Sequence, residues 1–149
     1  MQKSVMVGMS GGVDSTVAAA ILQEQGYKVI GVTLKLWDDD NQAEYNKTCC
    51  SLEDIDDARN AAYDLGIPYY VLNMKELFLE EVVNPFVDSY LKGFTPNPCI
   101  ICNQKIKFEA MLKKALSMDI DYIATGHYVQ KQVDAQTGRY VLKKAVDLT

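Results

Sequence analysis

Two hydrophobic periods alternate along the chain. Val5-Met6-Val7-Gly8 is a short, continuously apolar run that ends on glycine, as a buried strand does. From Val13 to about Gln25 the residues Val13, Val17, Ala20, Ile21 and Leu22 recur at helical spacing, and Gly26 closes the helix. Lys28 to Leu36 is β-branched and unbroken, which predicts a central strand. A polar loop opens at Trp37 and Asp38-Asp39-Asp40 and runs to about Cys50. Ser51-Leu52-Glu53-Asp54 then reads as an N-cap followed by first-turn acids, and its helix carries Ile55, Ala58, Ala61, Ala62 and Leu65 inward before stopping at Gly66. Ile67 to Leu72 is the next strand. The pattern from about Lys75 to Leu91 is helical, with an interruption near Pro85. Gly93 to Pro98 is a loop, about Asn103 to Ser117 a helix, and Ile120 to Thr125 a fourth parallel-type strand. Val129–Val133 and Arg139–Lys143 flank Asp134 to Gly138 as a hairpin.

This alternation predicts an α/β fold with a doubly wound, mostly parallel sheet and a C-terminal β-hairpin. Ligands of such sheets bind beyond the C-terminal strand ends. The length of 149 residues suits one domain, residues 1–149, with enough chain to bury a core. No apolar run approaches the roughly 20 residues of a membrane span. Met1-Gln2-Lys3-Ser4 leads straight into a strand without a signal-peptide layout, so the expected location is cytoplasmic, with no membrane partner. A net charge of −5 argues against a dedicated nucleic-acid module, yet permits an enzyme that holds RNA on one basic face or on another domain. The ending Lys143 to Thr149 has no terminal character, and a fragment of a longer chain is expected.

The richest local signal is Gly8-Met9-Ser10-Gly11-Gly12-Val13-Asp14-Ser15-Thr16, between a strand and a helix. Glycines let backbone approach an anion, and the N–H groups of the first helical turn point at it. Ser10, Ser15 and Thr16 add hydroxyl donors. Asp14 would repel phosphate, so it is expected to receive loop N–H groups or to help hold Mg²⁺. Neither Gly-x-x-x-x-Gly-Lys-Ser/Thr nor Gly-x-Gly-x-x-Gly is present; the loop contains no lysine.

Cys99-Ile100-Ile101-Cys102 is the second signal. A cysteine just before a helix meets the positive end of its dipole, which favours the thiolate, and Cys102 is expected at that point with Lys105 and Lys107 nearby. On the residues alone, three readings stand: a nucleophile or sulfur carrier, half of a metal site, or a buried inert thiol.

Ser10-Gly11-Gly12-Val13-Asp14-Ser15 resembles the loop of the ATP pyrophosphatase (PP-loop) superfamily, whose fold is adenine-nucleotide α-hydrolase-like. Cys49-Cys50-Ser51, Asp56-Asp57-Ala58, Thr95-Pro96-Asn97-Pro98, Cys102-Asn103-x-x-Ile106-Lys107-Phe108 and Ala124-Thr125-Gly126-His127-Tyr128 follow in the order seen in tRNA-specific 2-thiouridylases. That narrower resemblance covers essentially the whole chain and implies the N-terminal catalytic domain of such an enzyme, with tRNA-binding and β-barrel domains downstream. It implies that ATP adenylates the C2 oxygen of the wobble uridine in tRNA. Sulfur then comes from a persulfide on Cys102, and AMP and pyrophosphate leave. The persulfide would come from a sulfur-relay protein or cysteine desulfurase. A downstream cysteine would release the sulfur by forming a disulfide bond with Cys102.

The resemblance further implies ATP contacts at Gly8, Met9, Ser10, Gly11, Gly12, Val13, Asp14, Ser15, Leu34 and Gly126, and tRNA contacts at Asn97, Pro98 and Cys99. Many members carry Asp where this chain has Cys99. That substitution leaves two mechanisms standing, one in which Cys99 replaces the acid/base group and one in which Cys99, Cys102 and the downstream cysteine ligate three irons of a four-iron four-sulfur cluster whose fourth iron holds the sulfur. His127, the only histidine, reads equally as catalytic or structural. Cys49 and Cys50 read as structural, and Asp38-Asp39-Asp40 as a solvated loop. Lys105, Lys107, Lys113 and Lys114 suggest a basic helix face for tRNA phosphates.

Overall fold

The computed structural model describes residues 2–37 and 52–146. Strand β1 (Ser4–Gly8) lies inside a four-stranded sheet, since Val5, Met6 and Val7 are all buried and a run apolar on both faces needs cover on both. Its neighbours are β2 (Lys28–Lys35) and β4 (Tyr122–Thr125), and β3 (Tyr69–Asn73) extends the sheet beyond β2 in the order β3-β2-β1-β4. Every pairing is parallel, with Val7 opposite Gly31 on one side and Ala124 on the other. The chain therefore runs outward from β1 through β2 to β3 and returns across the sheet to β4. The gap between the C-terminal ends of β1 and β4 is the switch point where such sheets take ligands.

Alternation along β1 divides the core. Val5 and Val7 pack with Ala19 of α1 (Val13–Glu24) and with Ala58 and Ala62 of α2 (Leu52–Asp64). Met6 packs on the opposite face with Val32, Ile120, and Met111 and Ala115 of α6 (Met111–Ser117). The inward face expected for α2 is the observed one, but α1 is rotated from its expectation. Val13, Val17 and Ile21 are exposed, and the small residues Ser15 and Ala19 face the sheet. Small side chains let α1 lie close against the strands, and that closeness, rather than side-chain size, selects the buried stripe.

Residues 75–91 form a helical stretch of three pieces: α3 (Lys75–Phe78), a π-helical turn (Leu79–Val83) and α4 (Asn84–Leu91). The expected interruption is thus a widened turn next to Pro85, which sits where a helix start needs no N–H. The next helix differs more from expectation. It begins at Pro98 rather than near Asn103, because Asn97 is an N-cap whose side chain accepts the Cys99 N–H at 3.0 Å, and Pro98 occupies the first turn. From there α5 (Pro98–Cys102) passes into a π-helical segment (Asn103–Ala110) and then α6. These helices and β2 meet in a third apolar cluster of Leu34, Leu36, Phe78, Val82, Cys102 and Ile106.

Beyond the sheet, β5 (Val129–Val133) pairs antiparallel with β6 (Tyr140–Lys144). Its turn is set by Asp134, whose Oδ1 accepts the N–H groups of Gln136 and Thr137, both at 2.8 Å, and those bonds hold its carboxyl below the usual range. Among the described residues, no helix is long and apolar enough to cross a membrane. Asp38-Asp39-Asp40, Cys49, Cys50 and the Ser51 cap lie outside the described residues.

Candidate functional site

The glycine-rich turn leaves β1 at the switch point and enters α1. Gly11 has φ of 78°, and a Cβ there would meet the Asp54 carbonyl oxygen at 2.7 Å, so position 11 needs glycine on two counts. The loop hydroxyls are spent on the loop itself. Ser15 Oγ accepts the Ser10 N–H at 3.2 Å and donates to the Gly12 carbonyl at 3.1 Å, and Thr16 Oγ1 donates to the same carbonyl at 3.1 Å. This differs from the expectation that Ser15 and Thr16 present donors to phosphate. The donors left for an anion are the N–H groups of the first turn of α1, whose N-cap, Gly12, supplies no side-chain acceptor.

The loop is braced from below and from the side. Met9 N–H donates to the Val32 carbonyl at 2.8 Å, Thr33 Oγ1 donates to the Met9 carbonyl at 2.7 Å, and the Tyr69 hydroxyl donates to Thr33 Oγ1 at 2.7 Å. Gly126, just past β4, touches the start of α1: a Cβ there would lie 2.7 Å from the Ser15 nitrogen. Loop and post-β4 turn thus close on each other through backbone alone.

A cavity of about 400 Å³ lies at this junction. Of the predicted nucleotide contacts, Gly8, Met9, Ser10, Asp14, Ser15, Leu34 and Gly126 line it; Gly11, Gly12 and Val13 shape the turn beside it. Asp54, Lys107, Met111, Thr125 and His127 also line it and were not among the predicted nucleotide contacts. His127 Nδ1 is 2.8 Å from Thr125 Oγ1, and its ring lies 5.7 Å from that of Phe108. Asp14 accepts a hydrogen bond from the Tyr128 hydroxyl rather than from the loop N–H groups expected for it; Ser15 takes the Ser10 amide instead. No local signal could pair Asp14 with Tyr128, which is distant in sequence and adjacent only because β4 borders β1.

Cys102 is buried and Cys99 is exposed. Since the helix starts at Pro98, Cys99 holds the first-turn position that the sequence reading gave to Cys102, and Cys102 lies at the C-terminal end of α5. Cys102 does not line the 400 Å³ cavity, but it packs in one cluster with Leu34 and Leu36, which do. Asn97 and Pro98 line a second cavity of about 350 Å³ with Pro85, Phe86, Ile100 and Ile101. Among the described residues, no group of three His, Cys, Asp or Glu side chains is arranged to hold a metal ion. The expected basic face is divided. Glu109 pairs with Lys113 at 2.8 Å and Lys105 at 3.3 Å, and those two cations hold its carboxyl below the usual range.

A parallel sheet with a glycine-rich turn at its switch point, lining a cavity there, defines a doubly wound α/β domain of the ligand-binding type. The chain belongs to the family described as tRNA methyl transferase HUP domain, whose model matches residues 3–149. It is 58% identical to tRNA-specific 2-thiouridylase MnmA of Clostridioides difficile, over 98% of this chain and 40% of that protein. It is 61% identical to tRNA-specific 2-thiouridylase MnmA of Acetivibrio thermocellus, over 97% of this chain and 41% of that protein. The chain therefore spans about 40% of the length of these curated relatives. The fold is similar to that of a predicted subunit of tRNA methyltransferase from Methanocaldococcus jannaschii, with a TM-score of 0.54 at 20% identity, over 92% of this chain and 57% of that one.

Proposed function

We propose that residues 1–149 are the nucleotide-binding catalytic domain of a cytoplasmic tRNA-uridine 2-sulfurtransferase, with tRNA-binding and β-barrel domains elsewhere in the full-length protein. The observation that carries this reading is the backbone clamp of Gly126 on the Ser10–Ser15 turn, joined through Leu34 and Leu36 to the cluster that holds Cys102. The names of the 58% and 61% identical relatives support thiolation rather than methyl transfer as the chemistry.

ATP is bound with its phosphates at the first turn of α1. Mg²⁺ would enter with the nucleotide, and Asp14 and Asp54, which line the cavity, would supply the hard carboxylate oxygens that suit it. The uridine C2 oxygen attacks the α-phosphorus, and pyrophosphate leaves. The terminal sulfur of a Cys102 persulfide, loaded by a sulfur-relay protein or cysteine desulfurase, bonds to C2, and AMP leaves. A second cysteine thiolate then attacks the Cys102 sulfur, forming a disulfide and leaving sulfur on the base; an external thiol reduces that disulfide. Asn97, Pro98 and Cys99 meet the tRNA beside the second cavity, where Phe86 offers a ring for stacking.

An exposed Cys99 one helical turn from Cys102 favours a second reading, in which both thiolates ligate a four-iron four-sulfur cluster. Two thiols do not make up a cluster site by themselves; the third ligand would be the downstream cysteine, and no step is assigned to a cluster.

The test uses the full-length protein with Mg-ATP, a persulfide donor and unmodified tRNA, following AMP by chromatography and 2-thiouridine by mass spectrometry. Equal AMP and 2-thiouridine are expected. ADP in place of AMP, or no product at all, would sink the adenylation reading. Cys102→Ser is expected to abolish 2-thiouridine while ATP still binds; joint loss of both would make Cys102 a structural residue.

A further inference from the structure

The phosphate loop contains no lysine, yet a polyphosphate brings several negative charges to a cavity whose walls already include Asp14 and Asp54. Among the described residues, the one lysine or arginine lining that cavity is Lys107, in the π-helical segment Asn103–Ala110. We propose that Lys107 is the cation that neutralises the phosphates of the bound nucleotide, supplied from across the cavity instead of from the loop. The assignment rests on the nucleotide-binding reading above.

Four observations on the helix carry it. Lys107 and Met111, four residues apart, both line the cavity, while Lys105, Glu109 and Lys113, also at intervals of four, form an ion-paired row elsewhere on the same helix. The two rows separate the lysines by task, and Glu109 already occupies Lys105 and Lys113. Met111 sits over the end of β1, where its Sδ would be 3.4 Å from a Cβ placed at Gly8, so the cavity-facing row is registered against the residue that opens the loop. Next to Lys107, the ring of Phe108 meets His127, which follows Gly126, and this contact ties the helix to the turn that clamps the loop. The widened π winding is a helical irregularity of the kind often found where side chains are aimed at a ligand.

The test measures the dissociation constants of ATP and of adenosine for full-length wild type, Lys107→Gln, Lys107→Arg and Lys105→Gln. Calorimetry reads binding and circular dichroism checks the fold. Lys107→Gln is expected to weaken ATP at least tenfold, about 1.4 kcal/mol, while adenosine stays within twofold. Lys107→Arg should recover most of the ATP affinity, and Lys105→Gln should match wild type. ATP binding by Lys107→Gln at wild-type strength overturns the assignment, and so does an equal loss of ATP and adenosine. A wild type that binds adenosine as well as ATP instead overturns the phosphate-loop reading itself.

Discussion

At position 126 a Cβ would stand 2.7 Å from the Ser15 nitrogen and 3.0 Å from the Asp14 carbonyl carbon, both backbone atoms of the first turn of α1. Neither can retreat without opening the N–H array that faces the cavity. Gly126→Ala is therefore expected to weaken ATP binding at least tenfold and to destabilise the fold by about 1–3 kcal/mol. Calorimetric titration and thermal melts read the two effects separately, and unchanged ATP affinity would mean that the clamp does not shape the anion site. The loop side of this contact was legible in the sequence because its glycines and serines are contiguous between a strand and a helix. The remaining wall was not. Asp54, Lys107 and Tyr128 reach the loop only through sheet order, which no local pattern encodes. The bonds of the Ser15 and Thr16 hydroxyls to the Gly12 carbonyl were not legible either: a serine in a phosphate-type loop can donate to a ligand or to the loop's own carbonyls, and only the backbone path decides.

β1 and β4 are tied at their N-terminal ends by one carboxylate. Asp121 Oδ1 receives Lys3 Nζ at 2.6 Å, and its Oδ2 receives both the amide and the hydroxyl of Ser4 at 2.9 Å. The Lys3 hydrogen bond first, and then the Ser4 donors, bring the Asp121 pKa down to about 2. A carboxyl depressed in the folded state adds stability above its unfolded pKa of about 3.9, and this is lost as pH falls toward 2. Asp121→Asn is accordingly expected to lower the melting temperature at pH 7 and to converge on wild type near pH 2. Melts from pH 7 to 2 check this, and a gap that stays constant over that range would count against it. The existence of these elements was readable from periodicity, and so were the helix ends at Gly26 and Gly66. Two details were not. The buried stripe of α1 follows small residues because close approach to the sheet outweighs hydrophobicity, and α5 begins at Pro98 because Asn97 caps a helix inside what reads as a proline loop. The second detail moved Cys102 from a helix start to the end of a turn.

The formal charge of −5 is distributed unevenly over the molecule. The β5–β6 hairpin carries Lys131, Arg139, Lys143 and Lys144 against the single acid Asp134, and both strands are largely solvent-exposed. Of the cations elsewhere, Lys3 pairs with Asp121, Arg59 with Asp56, and Lys105 and Lys113 with Glu109. Among the described residues the hairpin therefore offers a polyanion four cations against one acid, while two of the four helix lysines, Lys105 and Lys113, are already paired with Glu109. The hairpin is also placed for such a role, because it follows the Gly126 turn in the chain and Tyr128 at its entry hydrogen-bonds Asp14 of the loop. Replacing both Lys143 and Lys144 with Gln in the full-length protein is expected to flatten the slope of log K against log salt for tRNA by about 1.5, the release from roughly two phosphates. Lys113→Gln, which removes a cation already spent on Glu109, should leave the slope near wild type. Filter binding across a salt series measures both. A flatter slope for Lys113→Gln together with an unchanged one for the double variant would put the tRNA on the helix face and remove the hairpin from the RNA path.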